Sequence, residues 1–138
     1  MAEQTGIHIT GIIDAEIESS HRGGSLRKIP FQLSSEPDGV WEEIFIHNWN
    51  HPPTFTSMHR SGIARIEGDR VILDGTTVDE VARVHQTTLK LVVEETNRNY
   101  TALLQKQREK DERDAARRRS ESAALEAERM KARDISFD

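Results

Sequence analysis

Three of the six histidines of the chain fall within one short segment, HNWNHPPTFTSMH, which runs from His47 to His59. His47 and His51 are four residues apart, a spacing that places two side chains on one face of a helix. Imidazole nitrogens bind transition metals and exchange protons near neutral pH. The segment therefore defines one functional hypothesis: a small metal-dependent or histidine-based enzyme that uses His47, His51 and His59, with His85 as a fourth member.

A structural interpretation of the same segment competes with the metal site. His51 directly precedes Pro52, and the residue before a proline avoids the helical conformation, so a helix must end there. A histidine near a helix C-terminus also interacts favourably with the negative end of the helix dipole. Asn48 follows His47 at the position where the His-Glu-x-x-His metalloprotease motif has glutamate. Helix termination is the favoured interpretation here, and a core position is favoured for His85.

The remaining sequence contains no catalytic motif. The chain has no cysteine, which excludes disulfides, thiolate metal sites and a cysteine nucleophile. Its glycine-containing turns do not fit a phosphate-binding loop, and no Gly-x-Ser-x-Gly segment is present. We therefore assign no catalytic residue and expect no cofactor.

Charge divides the chain into two parts. Residues 1–104 contain 9 Lys and Arg against 15 Asp and Glu, a net charge of −6, whereas residues 105–138 contain 10 against 9, a net charge of +1. An acidic domain is a poor binder of phosphate backbones. Large hydrophobic residues are absent between 105 and 122. We predict a compact domain over residues 1–104 and a charged C-terminal arm, helical or disordered, over residues 105–138.

The periodicity of the domain predicts an α+β fold, with a small antiparallel sheet in the order β-β-α-β-β-α. The segment IHITGIIDAEIES alternates as a strand, and Gly11 lies on its apolar face, where it marks either a bulge or a close approach of another backbone. The segment LRKIPFQLS is a second strand, predicted to lie at an edge because Pro30 cannot donate a ladder hydrogen bond. These two strands are predicted to form a hairpin, and a second hairpin turns at Gly68 and Asp69.

Two helices complete the predicted domain. The first is capped by Ser34 or Ser35 and ends before Pro52. The second begins with a capping box formed by Thr77 and Glu80. Its apolar stripe repeats at steps of three or four residues and comprises Val78, Val81, His85, Leu89, Val92, Thr96, Tyr100 and Leu103. No proline or glycine follows Thr77, so this long C-terminal helix is expected to extend from the domain.

Several apolar residues of the long C-terminal helix and of the C-terminal arm lack an obvious partner within the domain. An apolar patch beyond a polar spacer is typical of a docking segment. The predicted partner-binding residues are Tyr100, Leu103, Leu104, Leu125, Met130, Ile135 and Phe137. Arg117, Arg118 and Arg119 form a second candidate surface, for nucleic acid, although Asp111, Glu112, Asp114 and Glu121 offset much of their charge.

The favoured function from the sequence is a non-enzymatic protein–protein interaction or assembly module. The expected partner is another protein or a second copy of the chain, in an oligomer or as a subunit of a larger complex. No apolar run approaches 18 residues, so no membrane partner is expected, and a cytoplasmic location is predicted. The histidine-based enzyme and nucleic-acid contact through the arginine-bearing arm are the alternatives.

Overall fold

The computed structural model describes residues 6–138 and has mixed α+β architecture, as the periodicity predicts. Five antiparallel strands form one sheet: β1 (Ile9–Ile12), β2 (Glu18–Ser19), β3 (Arg27–Leu33), β4 (Ala64–Glu67) and β5 (Arg70–Thr76). The strand order is β1-β3-β5-β4, and β2 pairs with β3 beyond the end of β1. The helices are α1 (Gly39–Asn50), α2 (Val78–Glu80) and α3 (Gln86–Arg133).

The backbone divides into two compact units between Thr101 and Ala102. The first contains the sheet, α1 and the buried part of the long helix. Its core includes residues from all three, and Trp41, Phe45 and Trp49 of α1 are fully buried. The second unit is helical through Arg133. The sequence predicts a helical or disordered arm over residues 105–138, and the structure describes residues 105–133 of it as helix.

The prediction that the strand containing Pro30 lies at an edge is wrong, because β3 is flanked on both sides. It pairs with β5 on one side and with β1 and β2 on the other. The imino nitrogen of Pro30 faces the side of β1, where a 3₁₀ turn (Asp14–Glu16) interrupts the chain between β1 and β2. The carbonyl of Ile13, which a ladder would pair with an N–H at position 30, instead accepts from the amide of Glu16 at 3.1 Å. The missing donor thus falls where the neighbouring strand is broken.

The same interruption divides the first predicted strand. The segment from Ile7 to Ser19 is not one strand but β1, the 3₁₀ turn and the two residues of β2. The predicted bulge is confirmed, because the register between β1 and β3 shifts between Ile9 and Gly11. The amide of Ile13 still donates to the carbonyl of Pro30 at 3.0 Å, so half of the expected pair of hydrogen bonds remains.

Helix α1 begins later than the sequence predicts. Its N-cap is Asp38, whose carboxylate accepts from the amide of Trp41 at 2.9 Å, and not Ser34 or Ser35. The same carboxylate accepts from the hydroxyl of Tyr100 at 2.5 Å, so a contact with the long helix accompanies the cap. The predicted end is confirmed, since α1 stops at Asn50 with His51 as its C-cap.

The second hairpin and the start of the long helix follow the prediction. The turn between β4 and β5 lies at Gly68 and Asp69, and Gly68 has the positive φ of 63° that glycine adopts without strain. The hydroxyl of Thr77 accepts from the amide of Glu80 at 3.1 Å. In a complete capping box the side chain of Glu80 would accept from the amide of Thr77. Here the carboxylate of Glu80 instead accepts from Arg60 and Thr76.

The long helix comprises 56 residues, and its first turns are irregular. A π-helical turn (Val81–His85) joins α2 to α3. Most of the predicted apolar stripe is buried, but Val78 is 51% exposed and Leu103 is 46% exposed. The buried members are Val81, His85, Leu89, Val92, Thr96 and Tyr100.

Candidate functional site

An apolar groove with a volume of about 800 Å³ lies between β1 and the first turns of the long helix. We call it the β1 groove. Its sheet side is formed by residues 6–12 with Phe31, and its helix side by residues between Val78 and Asn97. Lys90 and Glu94, one of each charge, also line it. Its apolar lining includes Ile9, Ile12, Val81, Leu89 and Val93. A volume of about 800 Å³ falls within the range of small-molecule ligand pockets.

The two edges of the sheet differ in charge. Among residues 6–138, strand β1 pairs on one side only, and its sequence, ITGI, contains no charged residue. Strand β4, at the other edge, has the sequence ARIE, and its Arg65 and Glu67 form an ion pair. Charged residues on an edge strand discourage pairing with another chain. The edge beside the β1 groove therefore lacks the charged side chains that oppose pairing at the β4 edge.

A pair of histidines, His59 and His85, is packed against Trp49 in the first unit. The ring centroids of His59 and His85 are 6.0 Å apart. The ring centroid of Trp49 lies 4.5 Å from that of His59 and 5.5 Å from that of His85. The Nε2 atom of His59 lies 2.7 Å from the carbonyl oxygen of Trp49. His85 has no exposed surface, and neither of its ring nitrogens has a hydrogen-bond partner among residues 6–138. Buried polar atoms without partners are rare.

An ion pair borders these histidines. The guanidinium of Arg60 donates to both carboxylate oxygens of Glu80, at 2.7 and 2.8 Å, and Thr76 adds a third donor at 2.8 Å. These hydrogen bonds, chiefly that from Arg60, lower the pKa of Glu80 to about 2. The Nε2 atom of His85 lies 3.9 Å from the nearer carboxylate oxygen, too far for a hydrogen bond. Burial lowers the pKa of His85 below its usual range.

The predicted metal ligands are divided between two places. His47 and His51 are exposed, and their rings stack with centroids 4.6 Å apart, while the Nδ1 atom of His51 lies 3.0 Å from the carbonyl oxygen of His47. His59 packs instead against Trp49 and His85. Within residues 6–138, no three histidine or carboxylate side chains are grouped so as to hold a metal ion. The three-histidine hypothesis therefore has no ligand cluster in this structure.

The predicted partner-binding residues separate into one buried residue and six exposed ones. Tyr100 is only 8% exposed and donates its hydroxyl to Asp38, so its role is in the packing of the first unit. The exposed fractions of the others range from 42% for Leu104 to 98% for Phe137. The remaining exposed residues of this set are Leu103, Leu125, Met130 and Ile135.

The three predicted nucleic-acid contacts, Arg117, Arg118 and Arg119, are exposed on α3. Arg117 lies 3.7 Å from Asp114 and 3.9 Å from Glu121. These carboxylates offset part of the positive charge, as the sequence predicts.

The structure also contains a buried carboxylate, that of Asp74, which is not among the candidate residues suggested by the sequence. Asp74 is 4% exposed and accepts from the hydroxyl of Ser20 at 2.6 Å and from Arg65 at 3.0 Å. The carboxylate oxygen that accepts from Arg65, Oδ2, also lies 3.2 Å from Nδ1 of His21, whereas Ser20 donates to Oδ1. Burial opposes ionisation, but these donors outweigh it and lower the pKa of Asp74. Because Ser20 donates to Asp74 and not to His21, the three do not form a nucleophile–base pair.

Comparison of the chain with protein-family models, with curated proteins and with solved structures finds no significant match. Within the part of the chain that the structure describes, no helix has the length and apolar character needed to span a bilayer.

Proposed function

We propose that this chain is a non-enzymatic protein-interaction or assembly module whose β1 groove receives an extended segment of a partner protein. The observation that carries the proposal is the uncharged edge of β1 beside an apolar groove. A strand added to a sheet edge gains main-chain hydrogen bonds, and pockets beside the edge select its alternate side chains.

The dimensions of β1 define the partner segment. Four residues at about 3.3 Å each give an edge about 13 Å long, so the paired part of the partner is a short strand. The side chains that face the groove should be apolar, because Lys90 and Glu94 of the lining offset one another. The exposed apolar residues of the C-terminal helix, Leu104 and Leu125 among them, provide a second candidate surface for assembly.

The substitution Ile12→Lys should weaken partner binding or self-association at least about tenfold, because it places an unpaired charge against the apolar groove. Ile12 is 41% exposed and lies outside the buried core, so the fold should tolerate lysine. Phe55→Lys is the matched control, since Phe55 is 80% exposed and belongs to a loop away from the groove lining. The measurements are absolute mass by light scattering over a range of concentrations and fluorescence anisotropy with labelled peptides of alternating apolar residues.

The outcomes separate the two surfaces. An oligomer that dissociates with Ile12→Lys but not with Phe55→Lys supports assembly through β1. An oligomer that dissociates instead with Leu104→Ser or Phe137→Ser places the interface on the C-terminal helix and its following segment. A monomer at all concentrations that also binds none of the peptides would contradict the proposal.

A further inference from the structure

We propose that His85 is the trigger of an acid-sensitive latch, which holds the loop between α1 and β4 (residues 51–63) against the start of the long helix. The inference is independent of the proposed interaction function. It rests on the packing of His85 against His59 of this loop and on the hydrogen bonds that hold the loop in place.

The loop is held by side-chain hydrogen bonds at its C-terminal end. The indole nitrogen of Trp49 donates to the carbonyl of Arg60 at 3.0 Å, and the carboxamide oxygen of Asn50 accepts from the amide of Gly62 at 2.8 Å. His59 contacts the carbonyl of Trp49, and Arg60 binds Glu80 of α2 through two hydrogen bonds. The middle of the loop contributes less, because Phe55 and Met58 are exposed.

His85 lies where the contacts of His59 and Arg60 converge. Its ring has no exposed surface, and it packs against the rings of Trp49 and His59. Three ionisable groups face it: Glu80 of α2, and Arg60 and His59 of the loop. Glu80 is the carboxylate among these, and it is already bound by Arg60 and Thr76.

A proton on His85 cannot be accommodated in the closed arrangement without loss elsewhere. The new cation would be buried beside the guanidinium of Arg60 and the imidazole of His59. The nearest carboxylate, that of Glu80, is 3.9 Å away and already hydrogen-bonded to Arg60 and Thr76, so the buried charge is poorly compensated. The protonated imidazole can gain a hydrogen-bond partner if Glu80 moves away from Arg60, or it can be hydrated if the loop is displaced. Either route breaks a contact that holds residues 51–63. The lowered pKa of His85 agrees with this coupling.

The sign of the pH dependence follows from linkage. With the loop open, His85 titrates near the ordinary histidine value of about 6.5; with the loop closed it stays neutral. Opening is therefore accompanied by proton uptake below about pH 6.5, and the opening equilibrium should rise about tenfold for each pH unit below that value until the pKa of the closed form is reached.

Hydrogen–deuterium exchange of the full chain between pH 7.5 and 5.0, corrected for the intrinsic pH dependence of amide exchange, tests the latch. Loop amides such as those of His59 and Gly62 should lose protection about tenfold per unit below pH 6.5, while sheet amides such as that of Leu73 keep theirs. His85→Leu, which fills the same buried space without a titratable group, should remove this dependence. His51→Gln, at an exposed histidine of the same loop, should keep it.

Two further measurements keep the test decisive if His85→Leu does not fold. His85→Gln removes the titration but retains polarity, and the ring resonances of the wild-type histidines report the pKa of His85 directly. The inference is overturned if loop and sheet amides lose protection together, if the loop shows no dependence on pH, or if His85 titrates at or above 6.5. It is also overturned if the Gln variant retains the wild-type pH dependence.

Discussion

Replacing Trp49 with alanine should lower the free energy of unfolding by about 3–5 kcal/mol, the range for the truncation of large aromatic side chains in a core. Trp49 has no exposed surface, and it packs against both His59 and His85. Its indole also donates to the carbonyl of Arg60, which the substitution leaves without that donor. The loss combines a cavity in the core with a broken hydrogen bond to the loop.

Chemical unfolding by urea, followed by far-ultraviolet circular dichroism at pH 7.5, measures this effect. Phe55→Ala is the control, because Phe55 is 80% exposed and exposed substitutions generally change stability by less than about 0.5 kcal/mol. A loss below about 1 kcal/mol for Trp49→Ala would mean that the packing around α1 and the loop is not the one described.

Glu80→Gln should produce the second large effect, and it should depend on pH. The pKa of Glu80 is lowered to about 2 from an ordinary value of 4.5, chiefly by the hydrogen bonds from Arg60. A carboxylate with a lowered pKa stabilises the folded state above its unfolded pKa. That stabilisation disappears as pH falls from 4.5 towards 2. The shift corresponds to roughly 3 kcal/mol at neutral pH, to order of magnitude.

Urea unfolding at pH 7, 4.5 and 3 measures this difference. The wild-type chain should be more stable than Glu80→Gln at pH 7, and the gap should narrow as pH falls below 4.5. Glu112→Gln, at an exposed position of α3, should match the wild type within about 0.5 kcal/mol. A gap that stays constant from pH 7 to pH 3 would show that the carboxylate charge of Glu80 does not carry the stabilisation.

The two acid-sensitive groups act in separate ranges of pH. His85 responds below about pH 6.5, where Glu80 is still ionised, and Glu80 responds only below 4.5. A loop that opens between pH 6.5 and 5 would therefore report His85. At lower pH, where Asp74 also contributes, the contribution of Glu80 is the part of the stability loss that Glu80→Gln removes. The Glu80→Gln variant should also show weaker loop protection at pH 7.5, because it disrupts the pair with Arg60 that holds the loop.

Local sequence was sufficient where an element depends on its own residues. The turn at Gly68 requires a backbone conformation that glycine adopts easily, and Thr77 caps the helix that follows it. Helix α1 ends before Pro52 because proline restricts the residue that precedes it. The spacing of apolar residues also indicated which face of the long helix is buried between Val81 and Tyr100.

Local sequence did not predict the features that depend on contacts between residues far apart in the chain. Pro30 predicts an edge strand, yet β3 is central because the neighbouring strand breaks opposite the missing donor. Ser34 and Ser35 are good N-caps, but Asp38 takes that role and also accepts from Tyr100, 62 residues away. The periodicity of the sequence does not reveal this long-range hydrogen bond. Tyr100, which the sequence places on a partner surface, is buried in the first unit.

The sequence by itself determined the α+β class, the approximate order of the main elements and the presence of a long C-terminal helix, but it left residues 105–138 either helical or disordered. These features follow from short-range periodicity, capping and the absence of helix breakers, which act over a few residues. The tertiary structure alone decided the candidate sites. Ile12 and Val93 line one groove, and His59 and His85 share one buried cluster, because the folding of strands and helices onto one core joins side chains that no local spacing relates.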